Sequence, residues 1–255
     1  MARQTAPDRH RPVVALPLVI AALMAISAPA VAQETRKHLT LVGIPSGTVA
    51  PHGTVFGSLA LTDRRAGAAL RDNDGSLALG FGLGSAEDGI GVQVTASIAS
   101  LSRNFGDAGS FSVKASRRIG AGQWTTYLGV SADYLAPWGA VKGQKTSLTA
   151  AITSFTSVRI GQDSYPLMLT FGGGSHIRNG DKDPGIFAGV GLGLTPNLAV
   201  SAAWTGEALD LGLGVKAPGV EGLSFTFAVN DVTDRKSSRR VTLSATWAVA
   251  NLFGR

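Results

Sequence analysis

Between Gly185 and Val229 the chain alternates large apolar residues with small ones through four successive segments. The large positions are Ile186, Ala188, Val190, Leu192 and Leu194; then Leu198, Val200, Ala202 and Trp204; then Leu209, Leu211, Leu213 and Val215; then Leu223, Phe225, Phe227 and Val229. A period of two is the mark of a β-strand, because successive side chains point to opposite faces. The intervening positions are mostly Gly, Ala, Ser and Thr, with Phe187 and Asp210 as departures. A soluble sandwich or lipocalin-like barrel turns its polar face to water and carries charges there, about 25–35% of its surface. This second face lacks them. The pattern therefore reads as an inverted sheet, with large apolar residues toward lipid and small ones toward a barrel interior. The expected fold is all-β, a closed antiparallel transmembrane β-barrel; a soluble β protein is the alternative.

The first residues read as a targeting segment. Arg3, Arg9 and Arg11 precede an apolar run, Val13 to Ile26, and Ala30-Val31-Ala32 offers a small-x-small cleavage site. That is the pattern of a secretory signal peptide over residues 1–32. An anchor helix is the alternative, but the run is short and is interrupted by Pro17. Cleavage after Ala32 leaves 223 of the 255 residues, beginning at Gln33, with a formal charge of +4. That balance is too small to argue for nucleic acid. There is no cysteine, so disulfides and thiolate metal sites are excluded. Residues 33–52 form a periplasmic N-terminal segment in which Pro45 and Pro51 oppose a regular strand. Its Leu39, Leu41, Val42 and Ile44 are ill-suited to bulk water, so the segment is expected to enter or cap the barrel mouth as a plug. A trailing linker is the alternative.

The barrel is expected over residues 53–255, with about twelve strands and ten or fourteen as fallback. The first eight are placed at Thr54–Leu61, Ser76–Leu83, Ile90–Ala99, Ser110–Ile119, Trp124–Tyr134, Thr146–Val158, Tyr165–Phe171 and the Gly185 segment. Three further segments lead to a last strand at Val241–Val249. The alternation slips near Ser154, which suggests a bulge. Short turns alternate with longer loops at 63–74, 101–109, 135–145, 172–184 and 231–240; the short connection at 206–208 is the exception. Outer-membrane barrels keep short turns in the periplasm and longer loops outside, which puts both termini in the periplasm. Trp124, Tyr165 and Trp247 would then line the inner rim, and Tyr134, Phe171 and Trp204 the outer one. Arg117 faces lipid by strict alternation, near enough to the rim to snorkel.

Leu41-Val42-Gly43-Ile44-Pro45-Ser46-Gly47, followed by Pro51-His52-Gly53-Thr54, resembles the opening of YjbH-like outer-membrane proteins. The likeness returns between residues 166 and 213: at Pro166–Gly174, at Phe187–Leu194 with Thr195-Pro196, and at Trp204-Thr205-Gly206 with Leu209–Leu213. Larger members of that group are associated with exopolysaccharide or capsule secretion. The resemblance implies a non-enzymatic barrel that is a structural or accessory component of surface-polysaccharide export. A passive porin-like diffusion channel for small solutes is the alternative.

Chemistry is sparse. Ser175-His176, with Asp181 and Asp183 in the same loop, is the nearest approach to a catalytic group. Triads are built from distant positions, so an enzyme is not expected. Asn179, Asp181 and Asp183 are spaced like the start of a calcium loop, but Pro184 stands where the turn glycine belongs and Val190 where the closing Glu belongs. The Gly-x-Gly runs at 80–84 and 189–193 lack the helix that a nucleotide site needs. No cofactor or metal is expected. The candidate lumen charges are Lys114, Arg118, Asp133, Asp210 and Lys216, fewer than the charged rings of a selective pore. The long loops hold twelve Lys and Arg against eight Asp, and the short turns hold Glu87, Asp88, Asp163 and Glu221. Arg235, Lys236, Arg239 and Arg240 are candidate outer-loop contacts for anions. The expected partners are outer-membrane lipid and lipopolysaccharide, an acidic polysaccharide or export partners, and the barrel assembly machinery.

Overall fold

The computed structural model describes residues 37–63, 73–101, 105–235 and 237–253. The signal-peptide expectation and residues 33–36 fall outside them, as do Arg64, Arg65, Arg71 and Lys236. Twelve strands form one closed antiparallel barrel. They are β1 Val55–Thr62, β2 Asp74–Gly84, β3 Gly91–Ile98, β4 Gly109–Gly120, β5 Thr125–Trp138 and β6 Ser147–Ile160. The remainder are β7 Asp163–Arg178, β8 Asp183–Gly193, β9 Leu198–Trp204, β10 Leu209–Lys216, β11 Leu223–Asn230 and β12 Arg240–Val249. Each strand pairs with its neighbour in sequence, and β1 closes on β12 in unbroken register from Val55↔Val249 to Thr62↔Thr242. Closure supplies partners for both edges of every strand, which a wall in contact with hydrocarbon requires.

The two faces separate as the alternation demands. Leu79, Phe171, Leu211, Phe227 and Trp247 are exposed on the outside, whereas Ala78, Thr170, Asp210, Ala228 and Thr242 are buried inside. In a soluble protein such an exterior would be an aggregation surface; around a closed barrel it is the lipid-facing band of a transmembrane β-barrel. Arg117 is exposed on the outer face of β4, opposite Leu128.

Three local expectations are corrected. There is no bulge at Ser154: β6 runs in continuous register against β5 and β7. The apparent slip arises because Phe155 points inward, where its ring meets Tyr127 edge to face at 6.0 Å. The irregularities fall instead in β4–β5, at Gly109–Val113 and near Arg118, and in β7–β8 above Gly174. Tyr134 is not part of an outer aromatic rim. It has φ +57° and is buried with Ala99, Ala108 and Val141, so the β5 irregularity turns it away from lipid. Loop 172–184 is mostly strand, since β7 and β8 leave only residues 179–182 between them.

Candidate functional site: the occupied lumen

The interior of the barrel is not empty. Residues 37–53 run through it without regular structure, and their course follows from what each residue meets. His38 N–H donates to Thr195 O (3.0 Å) in the short β8–β9 turn. Thr40, Leu41, Val42 and Ile44 then lie against Gly189, Gly191, Gly212 and Gly214 of β8 and β10. Any side chain on those glycines would occupy the space of the segment. Leu41 and Ile44 pack into a buried cluster with Phe187, Met168, Ala151 and Ala203. At Gly43 the segment passes under Asp210, near the long-loop end of β10. It then crosses to the opposite wall.

There the contacts are hydrogen bonds. Gly47 N–H donates to Thr153 Oγ1 (2.7 Å), which is itself bonded to Thr170 Oγ1 (2.8 Å). Ser116 Oγ donates to Gly47 O (2.6 Å), and Lys114 Nζ donates to Thr48 O (3.1 Å). Ala50 N–H donates to Gln93 Oε1 (2.9 Å). The segment leaves beside β2, where Gly84 N–H donates to His52 Nδ1 (3.2 Å) and Gly53 N–H to Gly82 O (3.1 Å). Backbone polar groups in the segment thus find partners on the wall, as buried backbone must.

The five candidate lumen charges do not form a ring. Lys114 holds the segment, and Asp133, on the neighbouring strand, accepts from Ser131 Oγ (3.1 Å). Arg118 stands opposite Tyr127 near the short-turn end. Lys216 lies close to His38, whose ring is held below the ordinary histidine value by burial first and by the Lys216 ammonium second. Asp210 belongs to a network at the other end. It accepts from Asn230 Nδ2 (2.7 Å) and Asp231 N–H (2.9 Å), and Asn230 Oδ1 accepts from Thr242 Oγ1 (2.9 Å).

The four candidate anion contacts separate as well. Arg235 stacks over Trp204, with its guanidinium 5.5 Å from the ring centroid. Arg239 is exposed and sits 4.0 Å from Asp234. Lys236 lies outside the described residues. Arg240 is corrected: it is the first residue of β12, 6% exposed, and turned into the barrel toward Asp210 and Asp181. Inward parity with Thr242 places it there, so it is not part of an outer patch.

The Ser175–His176 pair makes a contact of 2.7 Å between sequence neighbours, and Ser175 Oγ also accepts Leu148 N–H (3.0 Å). The nearby carboxylates are engaged elsewhere. Asp183 accepts from Asn179 Nδ2. Asp181 is pushed up to about 7 by burial and by Glu207, against the pull of Arg240. Among the described residues no three His, Asp or Glu gather as a metal site.

The fold and the occupied interior define a class: a twelve-stranded transmembrane barrel of the outer-membrane type with its N-terminal segment inside. No family model and no curated protein matches the chain. Among solved structures it is similar to the KdgM porin, at 9% identity and a TM-score of 0.50, over 76% of this chain and 98% of that one. It is also similar to an outer membrane channel from Pseudomonas putida F1 (TM-score 0.46, 11% identity, 79% and 97% covered). Outer membrane protein Omp33 of Acinetobacter baumannii gives a TM-score of 0.45 at 12% identity, with 77% and 97% covered. The likeness is one of fold.

Proposed function

We propose that this protein is a non-enzymatic barrel of the Gram-negative outer membrane whose own N-terminal segment closes the lumen to free diffusion. On this reading it serves the envelope as a structural or accessory component. One observation carries the reading: residues 37–53 bond both walls of the barrel, at Thr195 on one side and at Thr153, Ser116 and Lys114 on the other. A peptide held across the bore in this way leaves solutes no straight path. The stretches that resemble YjbH-like proteins, Leu41–Gly47 and Pro51–Thr54, lie within or beside this segment, which favours an accessory role in exopolysaccharide export. The wall behind the segment favours a second reading, a porin-like channel. It is largely Gly, Ala, Ser and Thr, and it would leave a bore if the segment withdrew.

Planar-bilayer conductance separates the two. The chain starting at Gln33 is expected to be nearly silent at neutral pH, and a chain starting at Gly53 to conduct steadily. Equal, strong conductance from both would replace the closed-barrel reading with the diffusion channel. Fractionation with heat-modifiable gel mobility checks that both chains fold as outer-membrane barrels.

A further inference from the structure

β7 is the longest strand of the barrel, and its regular pairing with β8 stops at Gly174↔Gly185. Pairing resumes at Arg178↔Asp183, so residues 175–177 stand outside the ladder. Beyond that break the hairpin turns over the bore. Ile177 packs against the buried cluster of Leu41, Ile44, Phe187 and Met168. Gly206, in the β9–β10 turn, has no room for a side chain, because a Cβ there would lie 2.6 Å from Ile177 Cγ2 and 3.0 Å from Ile186 O. In the same turn Glu207 accepts the Asn179 N–H. Asp181, at the tip, is half-buried and acts electrostatically on Arg240 of β12 and Tyr134 of β5. Those strands stand on nearly opposite sides of the barrel, and a place over the mouth is near both.

The tip is built as one piece. Asn179, Gly180 and Asp181 all have positive φ. Lys182 N–H donates to Arg178 O (2.9 Å), Arg178 Nε–H donates to Pro184 O (2.8 Å), and Asn179 Nδ2 donates to the Asp183 carboxylate. Ser175 Oγ accepts Leu148 N–H (3.0 Å), which pins the wall side of the break. A rigid tip beyond an unpaired step can swing as a unit. Its seat is shared with the segment in the lumen. Down the inner face of β8, Gly185 faces Ile177, Phe187 comes next, and Gly189 faces Ile44 and Leu41. Phe187 thus stands between the hairpin and the segment.

We propose that residues 176–184 are a lid on the outer mouth whose seat is completed by the lumen segment, so that withdrawal of residues 37–53 lifts the lid and the two ends of the barrel open together. This rests on the closed-barrel reading above. With the segment gone, Phe187 and Ile177 face water where Leu41 and Ile44 stood, and apolar burial no longer holds the tip down. The bond to Glu207 is exposed, where water competes for both partners. Coupling of this kind is reciprocal: a lid weakened at Ile177 also loosens the segment.

The test pairs trypsin with bilayer conductance, since Arg178 and Lys182 flank the tip and are exposed. Cleavage needs local opening, which a docked tip resists. Lys145, exposed in another long loop, is the internal reference. Initial cleavage rates are read by mass spectrometry on the chain from Gln33, the chain from Gly53 and the Gln33 chain with Ile177→Ala, each shown to be folded by heat-modifiable mobility. Cleavage at Arg178 and Lys182, relative to Lys145, is expected to be about tenfold faster in the Gly53 chain than in the Gln33 chain. Ile177→Ala is expected to raise that cleavage several-fold and to raise the open fraction of the Gln33 chain with it. Equal relative cleavage in the Gln33 and Gly53 chains overturns the shared seat and leaves the closed barrel standing. Faster cleavage of Ile177→Ala with unchanged conductance does the same. A silent Gly53 chain with a resistant tip makes the lid a closure of its own and overturns the coupling. A Gln33 chain that conducts like the Gly53 chain overturns the closed barrel itself, and the lid with it.

Discussion

Gly47 is where the lumen segment is least able to change. A Cβ built there would lie 2.7 Å from Ala151 O, 2.7 Å from Tyr127 O and 2.9 Å from Thr153 N, all backbone atoms of the β5–β6 wall. None of the three can move without breaking the strand ladder that carries it. Gly47 is not among the residues with positive φ, so alanine meets a steric obstacle and no backbone strain. Backing away from the wall sacrifices the bonds to Thr153 Oγ1 and from Ser116 Oγ. These are worth about 1 kcal/mol each, and overpacking adds about 1–3 kcal/mol. The total of roughly 3–5 kcal/mol falls on the docked state alone, because the strands are untouched. At about 1.4 kcal/mol per factor of ten, the docked-to-released ratio drops by two to three and a half orders of magnitude. Gly47→Ala is therefore expected to conduct at pH 7.5 almost as the chain from Gly53 does, with unchanged heat-modifiable mobility. Gly143→Ala, in an outer loop with nothing within 4 Å of the added carbon, is the control and is expected to stay closed. A silent Gly47→Ala beside a conducting Gly53 chain would refute the steric reasoning.

Two further outcomes concern the long-loop end. Arg240→Gln withdraws a buried cation from Asp210 and Asp181 and is expected to lower barrel stability by about 3 kcal/mol, the cost of orphaning a buried charge. Arg239→Gln loses an exposed pair at 4.0 Å, worth about 0.2–1 kcal/mol; the temperature at which gel mobility shifts distinguishes them, and equal shifts would put Arg240 in solvent. Asp181, raised to about 7 from an ordinary 3.8, adds stability that is complete below about pH 3.8 and is lost as pH rises through 7. Asp181→Asn is expected to flatten that slope in melts run from pH 4 to 8, and an unchanged slope would assign it to another group.

The strands were legible because a lipid-facing barrel writes its fold in a simple code. Every second residue must be apolar, and the interior tolerates small residues, so Leu209–Val215 and Leu223–Val229 announce their pairing before any register is known. The misreadings occur where the interior needs bulk. Phe155 inverts the local pattern because it packs inward against Tyr127, and an inward aromatic imitates a bulge in sequence. Arg240 looks like one more loop cation beside Arg239, and only the start of β12 at that residue turns it inward. Tyr134 carries the signature of a rim aromatic, but its positive φ is set by the β4–β5 irregularity, which a single strand does not encode.

The candidate site was harder to see than the wall, for a related reason. A strand repeats and a plug does not: residues 37–53 adopt no regular structure, so nothing in their spacing tells where each residue goes. What the sequence does contain is a pair of complementary imbalances. The inner faces of β8 and β10 are too small to fill a bore, with Gly189, Gly191, Gly212 and Gly214 together, while Leu41, Val42 and Ile44 are too apolar to remain in water. Neither imbalance is stable alone, since small inward residues leave a void and apolar residues on a tether invite association. Placing one inside the other resolves both, with Leu41 and Ile44 completing the cluster around Phe187 and Met168.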